Sequence, residues 1–248
     1  MERRGSDFLF TSTKNFDAEF GILKLDHIQR SFQFAYEMAF GSGYHRAKQF
    51  GGNVNRKPGE IFANAFQGKL AEFAFYDHLT SLAIPVPLPD TEILGRGSWD
   101  DADFVIQGKK IAIKSTKYYG HLLMLEESMW APNGDFKHDN SYGQSTPYDY
   151  FVLTRLVLEV EKIMKHNRQL YSTSIDINTL WGYFQGLSSD SWKYDIPGFV
   201  SLSTVQQAIQ SNQIILQNQT LNQRTTISVD NYYIQSGDLI DIHRLFTI

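Results

Sequence analysis

The segment Ile61–Leu79, IFANAFQGKLAEFAFYDHL, most limits what this chain can become. Phe62, Phe66, Leu70, Phe73 and Leu79 recur at helical spacing, so the segment predicts a helix whose apolar stripe must be covered by another element. Gly68 and Ala71 are small enough to let that element approach closely. Glu72 stands among these apolar neighbours, and two readings of it stay open: a carboxylate at a solvated helix edge, or one that a partner or a function holds in place. An earlier packing helix is expected to begin near Asp26.

The cover for the long helix follows in the sequence. DADFVIQGKKIAIKSTK, residues 101 to 117, alternates and turns like a β-hairpin with Gly108 at the bend, Asp103 opening its first strand and Lys114 closing the second. TPYDYFVLTRL reads as a buried strand, with Arg155 at its end, running on through VLEVEKIMKHNRQL into helix or extended structure. Helix, hairpin and buried strand together predict an α/β fold in which helices flank a central mixed β-sheet. At 248 residues and 42% hydrophobic content the chain can bury one large core. A single domain over residues 1–248 is expected, with its core at about 61–165 and a C-terminal elaboration over 166–248.

Several chemistries drop out at once. The chain has no cysteine, which removes disulfides, zinc–thiolate sites and thiol nucleophiles and fits a reducing, cytoplasmic setting. His121, His138 and His166 have no metal-ligand spacing, and neither a Ser-His-Asp arrangement nor a Walker-type glycine loop is readable. MERRGSDFLFTSTKNFD lacks an apolar signal core, and no stretch reaches the roughly 20 apolar residues that span a bilayer, so no membrane is expected.

The motifs now gain a likeness. A helix bearing GKLAE, an Asp at the start of a hairpin and a strand ending IKS resemble the PD-(D/E)xK nuclease superfamily, and within it type II restriction endonucleases, over about residues 61–155. The resemblance implies a restriction-endonuclease-like core and Mg²⁺-dependent hydrolysis of sequence-specific duplex DNA. It makes Asp103 the metal-binding aspartate, Lys114 the catalytic lysine and Glu72 the helix carboxylate that supports the metal or its water. Phosphodiester hydrolysis needs an activated water and neutralised charge on the phosphorus oxygens, which carboxylate-held Mg²⁺ and an ammonium supply together. Asp103 also has a plainer reading, as a turn-capping aspartate.

One ligand is withheld, because the acid expected two residues before the lysine is Ala112. Three explanations stand: the acid has migrated to a later element, an engineered alanine has replaced it, or catalysis has been lost and DNA binding kept. Migration is the expectation, with Glu126 refilling the space as a catalytic and metal-binding carboxylate.

DNA contacts are expected from Arg56 and Lys57 in a glycine-rich loop, and from Lys117, which with Lys109, Lys110 and Lys114 forms a local cationic set. A charged, solvated face is the alternative for each. The amides Gln206, Gln207, Gln210 and Asn212 are candidates for reading adenine in the major groove. A net charge of −4 confines any basic cleft to a local one. A homodimer is expected, since two-fold symmetry matches antiparallel strands. The rivals are a noncatalytic DNA-binding protein on the same fold and an aromatic-rich ligand-binding module.

Overall fold

The computed structural model describes residues 1–16, 21–41, 56–92, 102–137 and 145–245. Strands β1 (Glu2–Arg4), β2 (Asp7–Leu9) and β3 (Gly21–Ile22) precede helices α1 (Leu25–Phe40) and α2 (Pro58–Ser81). The hairpin β4 (Phe104–Ile106) and β5 (Lys109–Lys117) leads to β6 (Leu122–Glu126), β7 (Phe136–Lys137), β8 (Ser145–Thr146) and β9 (Tyr150–Leu156). Helices α3 (Val160–His166) and α4 (Ile177–Gly182) come before β10 (Lys193–Ser201) and α5 (Leu202–Gln210). The chain then adds β11 (Ile214–Ile215), β12 (Thr220–Leu221), β13 (Thr225–Thr226) and β14 (Asn231–Gln235).

The expected mixed sheet is present, with five strands in the order β3-β10-β9-β5-β4. Its β5–β9 step is parallel and the others are antiparallel. Strand parity sorts its side chains into two cores. Ile111, Ile113, Val152 and Leu156 face α1 and α2 and meet Phe32, Phe62, Phe66 and Phe73. Ala112, Phe151 and Leu153 face the other way, toward Leu123 and Leu125 of β6, Ile234 of β14 and Val205 and Ala208 of α5. The sheet is therefore a middle layer between a helical layer and one built from α5 and the small β11-β14-β6 sheet. A third cluster joins Phe8 of β2 to Leu221 of β12 and Tyr233 of β14, and β2 runs parallel to β12.

The long helix extends beyond its predicted ends and is fastened to α1 by Asp77. That carboxylate lies 3.0 Å from His27 Nδ1 and 2.9 Å from Lys24 Nζ. The expectation for Gly68 fails, because a methyl group added there would meet nothing within 4 Å. Close approach occurs instead at Gly59, where an added Cβ would stand 2.2 Å from the Gln169 carbonyl oxygen. Ala71 is fully buried, as its position in the stripe predicts.

Candidate functional site: the Asp103–Lys114 hairpin

The hairpin turns on Gln107 and Gly108, both left-handed at φ 51° and 76°, a pair that suits the right-handed twist of the flanking strands. Ile106 pairs with Lys109 and Phe104 with Ile111, which sets Asp103 beside Ala112 at the strand entrance. Phe104 packs on Phe75 of α2, its ring centre 5.3 Å away. Alternation then turns Asp103 to the opposite face, shared by Ala112 and Lys114. Asp103 Oδ2 accepts a hydrogen bond from the Ile113 amide at 2.6 Å, so the carboxylate closes the strand entrance as well as standing near the lysine.

Lys114 projects beneath Trp130, with its ammonium 5.3 Å from the ring centre. Burial draws its pKa below the ordinary lysine value, and the Asp103 carboxylate opposes that shift. The ammonium thus has an aromatic face and a carboxylate for company on a side chain that is half-buried.

Ala112 is 1% exposed and belongs to the apolar cluster of Leu123, Leu125, Trp130 and Phe151. Glu126 ends β6, where Leu123 and Leu125 point into that cluster. Strand alternation aims Glu126 away from them, and its Oε1 accepts from Ser128 Oγ at 3.0 Å. The partner that Glu72 calls for is Lys69, one turn earlier on α2, at 2.6 Å. Lys69 also donates to the Asp90 carbonyl at 2.7 Å and lies over the Phe34 ring. Among the described residues, no three acidic or imidazole side chains form a group that could hold a metal ion. Asp103, Glu72 and Glu126 are not gathered into one such group. A Mg²⁺ site is not complete in this donor set, since position 112 offers a methyl group where an oxygen is required.

The other expected contacts are dispersed. Lys117 pairs with Glu159 at 3.4 Å and Lys109 with Asp149 at 3.1 Å, so part of the cationic hairpin face is neutralised. Lys57 caps α2, its amide donating to Glu60 at 2.8 Å, and Arg56 is half-buried beside it. Most of their glycine-rich loop lies outside the described residues, as do His138, Asp100 and Asp101. On α5, Gln207 and Gln210 are exposed, whereas Gln206 donates to the Asn133 carbonyl at 2.7 Å. Asn212 is exposed just past the helix in a left-handed conformation, φ 54°.

Two features of this face escape a reading of the sequence. Trp130 arrives from a turn 16 residues downstream of Lys114, a distance no local pattern encodes. Arg155 is fully buried and bound through two nitrogens to Asp195. Its place inside FVLTRL signals a buried counter-charge, but nothing local says where that charge comes from.

Among the described residues no helix is long and apolar enough to cross a membrane. Compared with protein-family models, with curated proteins and with solved structures, the chain matches none.

Proposed function

We propose that this chain acts on the phosphodiester backbone of duplex DNA, as a site-specific endonuclease built on a restriction-endonuclease-like core. One observation carries the reading: Asp103 and Lys114 share a sheet face at the open end of a hairpin whose other face is packed on α2. Placement of an acid and a lysine at these two strand positions is what the sequence likeness requires. The ammonium of Lys114 can hold a non-bridging phosphate oxygen and neutralise the charge that develops on it. Asp103, held by the Ile113 amide, keeps a negative group beside that ammonium and can orient a water on the same face.

Mg²⁺ enters this reading through the sequence likeness alone, and the described residues do not assemble its site. Every step above therefore uses only the chain's own groups. The buried Ala112 favours a second reading, in which the same hairpin clamps duplex phosphates without cutting them. In either reading a two-fold dimer would bring equivalent hairpins to the two strands.

A digest of supercoiled plasmid with Mg²⁺, with and without chelator, tests the first reading, and mapped ends give the site. Defined, metal-dependent ends are the expected result. Duplex binding that weakens with salt at roughly 0.9 per neutralised phosphate on log axes, without cleavage, would move the protein to the second reading. An absence of duplex binding at low salt would end both.

A further inference from the structure

We propose that Phe16, Tyr118 and Tyr119 form a platform on which unpaired nucleotide bases stack, so that the protein holds a single-stranded segment next to the phosphate at Lys114. The inference rests on the nucleic-acid reading above and names what the site accepts. Tyr118 and Tyr119 follow β5 directly and are 43% and 48% exposed. They meet edge to face at 5.2 Å, and Phe16 meets Tyr118 in the same way at 5.9 Å. A lone exposed tyrosine needs no explanation, but a row of three rings joined through Tyr118, with two of them half open to solvent, offers a ready π-surface.

The platform is anchored from below. Fully buried Arg155 donates to the carbonyl oxygens of Lys14, at 2.8 Å, and of Asn15, the two residues just before Phe16. Its guanidinium lies 5.7 Å from the Phe16 ring centre. Burying a guanidinium is costly unless counter-charge and hydrogen bonds offset it; Asp195 and these two carbonyls do so here, and the same bonds fix the backbone that presents an aromatic ring. Parallel register sets Arg155 beside Thr116, on the sheet face that carries Ala112 and Lys114. Phe16 and Arg155 thus lie on the face of Lys114 and Asp103, and Tyr118 carries the ring surface from Phe16 round the strand end to Tyr119.

Charge suits an anionic ligand. The Lys117 ammonium is 5.9 Å from the Tyr119 ring centre, and Lys117 and Lys162 both approach the Glu159 carboxylate, at 3.4 and 3.8 Å. Two cations to one acid leave the rim net positive. Aromatic rings beside a cationic track are the general means of binding single strands without regard to sequence. Four residues of extended strand separate Lys114 from Tyr118, about 13 Å. Stacked nucleotides at about 3.4 Å each cover that distance in about four steps.

The test compares a blunt duplex with the same duplex bearing a single-stranded tail of about four nucleotides, in chelator so that no cutting intervenes. The tail should tighten binding about tenfold, and a fluorescent adenine analogue within it should be quenched on binding. Tyr118→Ala with Tyr119→Ala should bring the tailed-to-blunt ratio to about one, and the two Tyr→Phe changes should keep it. The analogue needs no variant, so a misfolded alanine pair does not spoil the test. Blunt and tailed duplexes bound equally would overturn the platform and leave the duplex reading standing. Binding of the free tail strand without any duplex affinity would do the reverse. Loss of self-association in the alanine pair would assign these rings to a second copy of the chain and overturn the proposal.

Discussion

Ala112 is where a single side chain decides most. An acid there would enter a cluster of Leu123, Leu125, Trp130 and Phe151 with no polar partner in that set. Ala112→Glu is expected to lower stability by about 2 kcal/mol, read as a lower urea midpoint, because a carboxylate among these apolar side chains must either lose its hydration or take up a proton, and Lys114 on the same face already has Asp103 beside it. An engineered alanine predicts the opposite, a folded protein with restored Mg²⁺-dependent cutting, so the two measurements together separate the explanations. Asp103→Asn is expected to lower cleavage at least about a hundredfold with duplex affinity largely kept, since base and phosphate contacts elsewhere supply binding. Cutting at the wild-type rate by that variant would remove Asp103 from the chemistry. Alternation, turn chemistry and the buried strand made Asp103, Gly108 and Lys114 readable from the sequence, because each rule works over two to four residues. The partner of Glu72 sits within the quoted GKLAE, one helical turn away. The apolar surroundings of Ala112 were not readable, because they come from β6, Trp130 and α5, which only folding brings together.

Among the elements, α2 is the one whose two glycines behave in opposite ways. Gly68 packs against nothing, so Gly68→Ala is expected to stabilise the protein by about 0.5–1 kcal/mol through helix propensity alone. Gly59→Ala would drive a methyl group into the Gln169 and Leu170 carbonyls and is expected to destabilise, with a lowered melting temperature as the readout. Equal effects at the two sites would show that the helix does not pack as described. The sequence marks Gly68 as a glycine on the helix and leaves Gly59 in the loop before it. Which one faces open space depends on the segment after α3, about a hundred residues later, and no periodicity within α2 reports it.

Across the whole molecule, acid sensitivity follows from a histidine between layers. His78 of α2 is buried against the His243 ring, 5.6 Å between centres. Burial first, and then His243, push its pKa down from 6.5 to about 4. The unfolded chain therefore binds a proton between those values that the folded chain refuses, and stability present above about pH 6.5 is lost as the pH falls toward about 4. The urea midpoint should drop between about pH 7 and about pH 5, and His78→Leu should flatten that drop. An unchanged slope in the variant would place the sensitivity elsewhere.

The pairing of β2 with β12 also has a consequence for the chain during its synthesis. Asp7 reaches Thr220 across 213 positions of sequence, and Phe8 is covered by Leu221 and Tyr233. At about 5–20 residues per second a ribosome needs roughly 10 to 40 s to make the partners of that first hairpin. For that interval Phe8 lacks its β12 and β14 cover, and a chaperone that shields apolar segments emerging from the exit tunnel is expected to engage β2 and to let go only when β12 and β14 have left the ribosome.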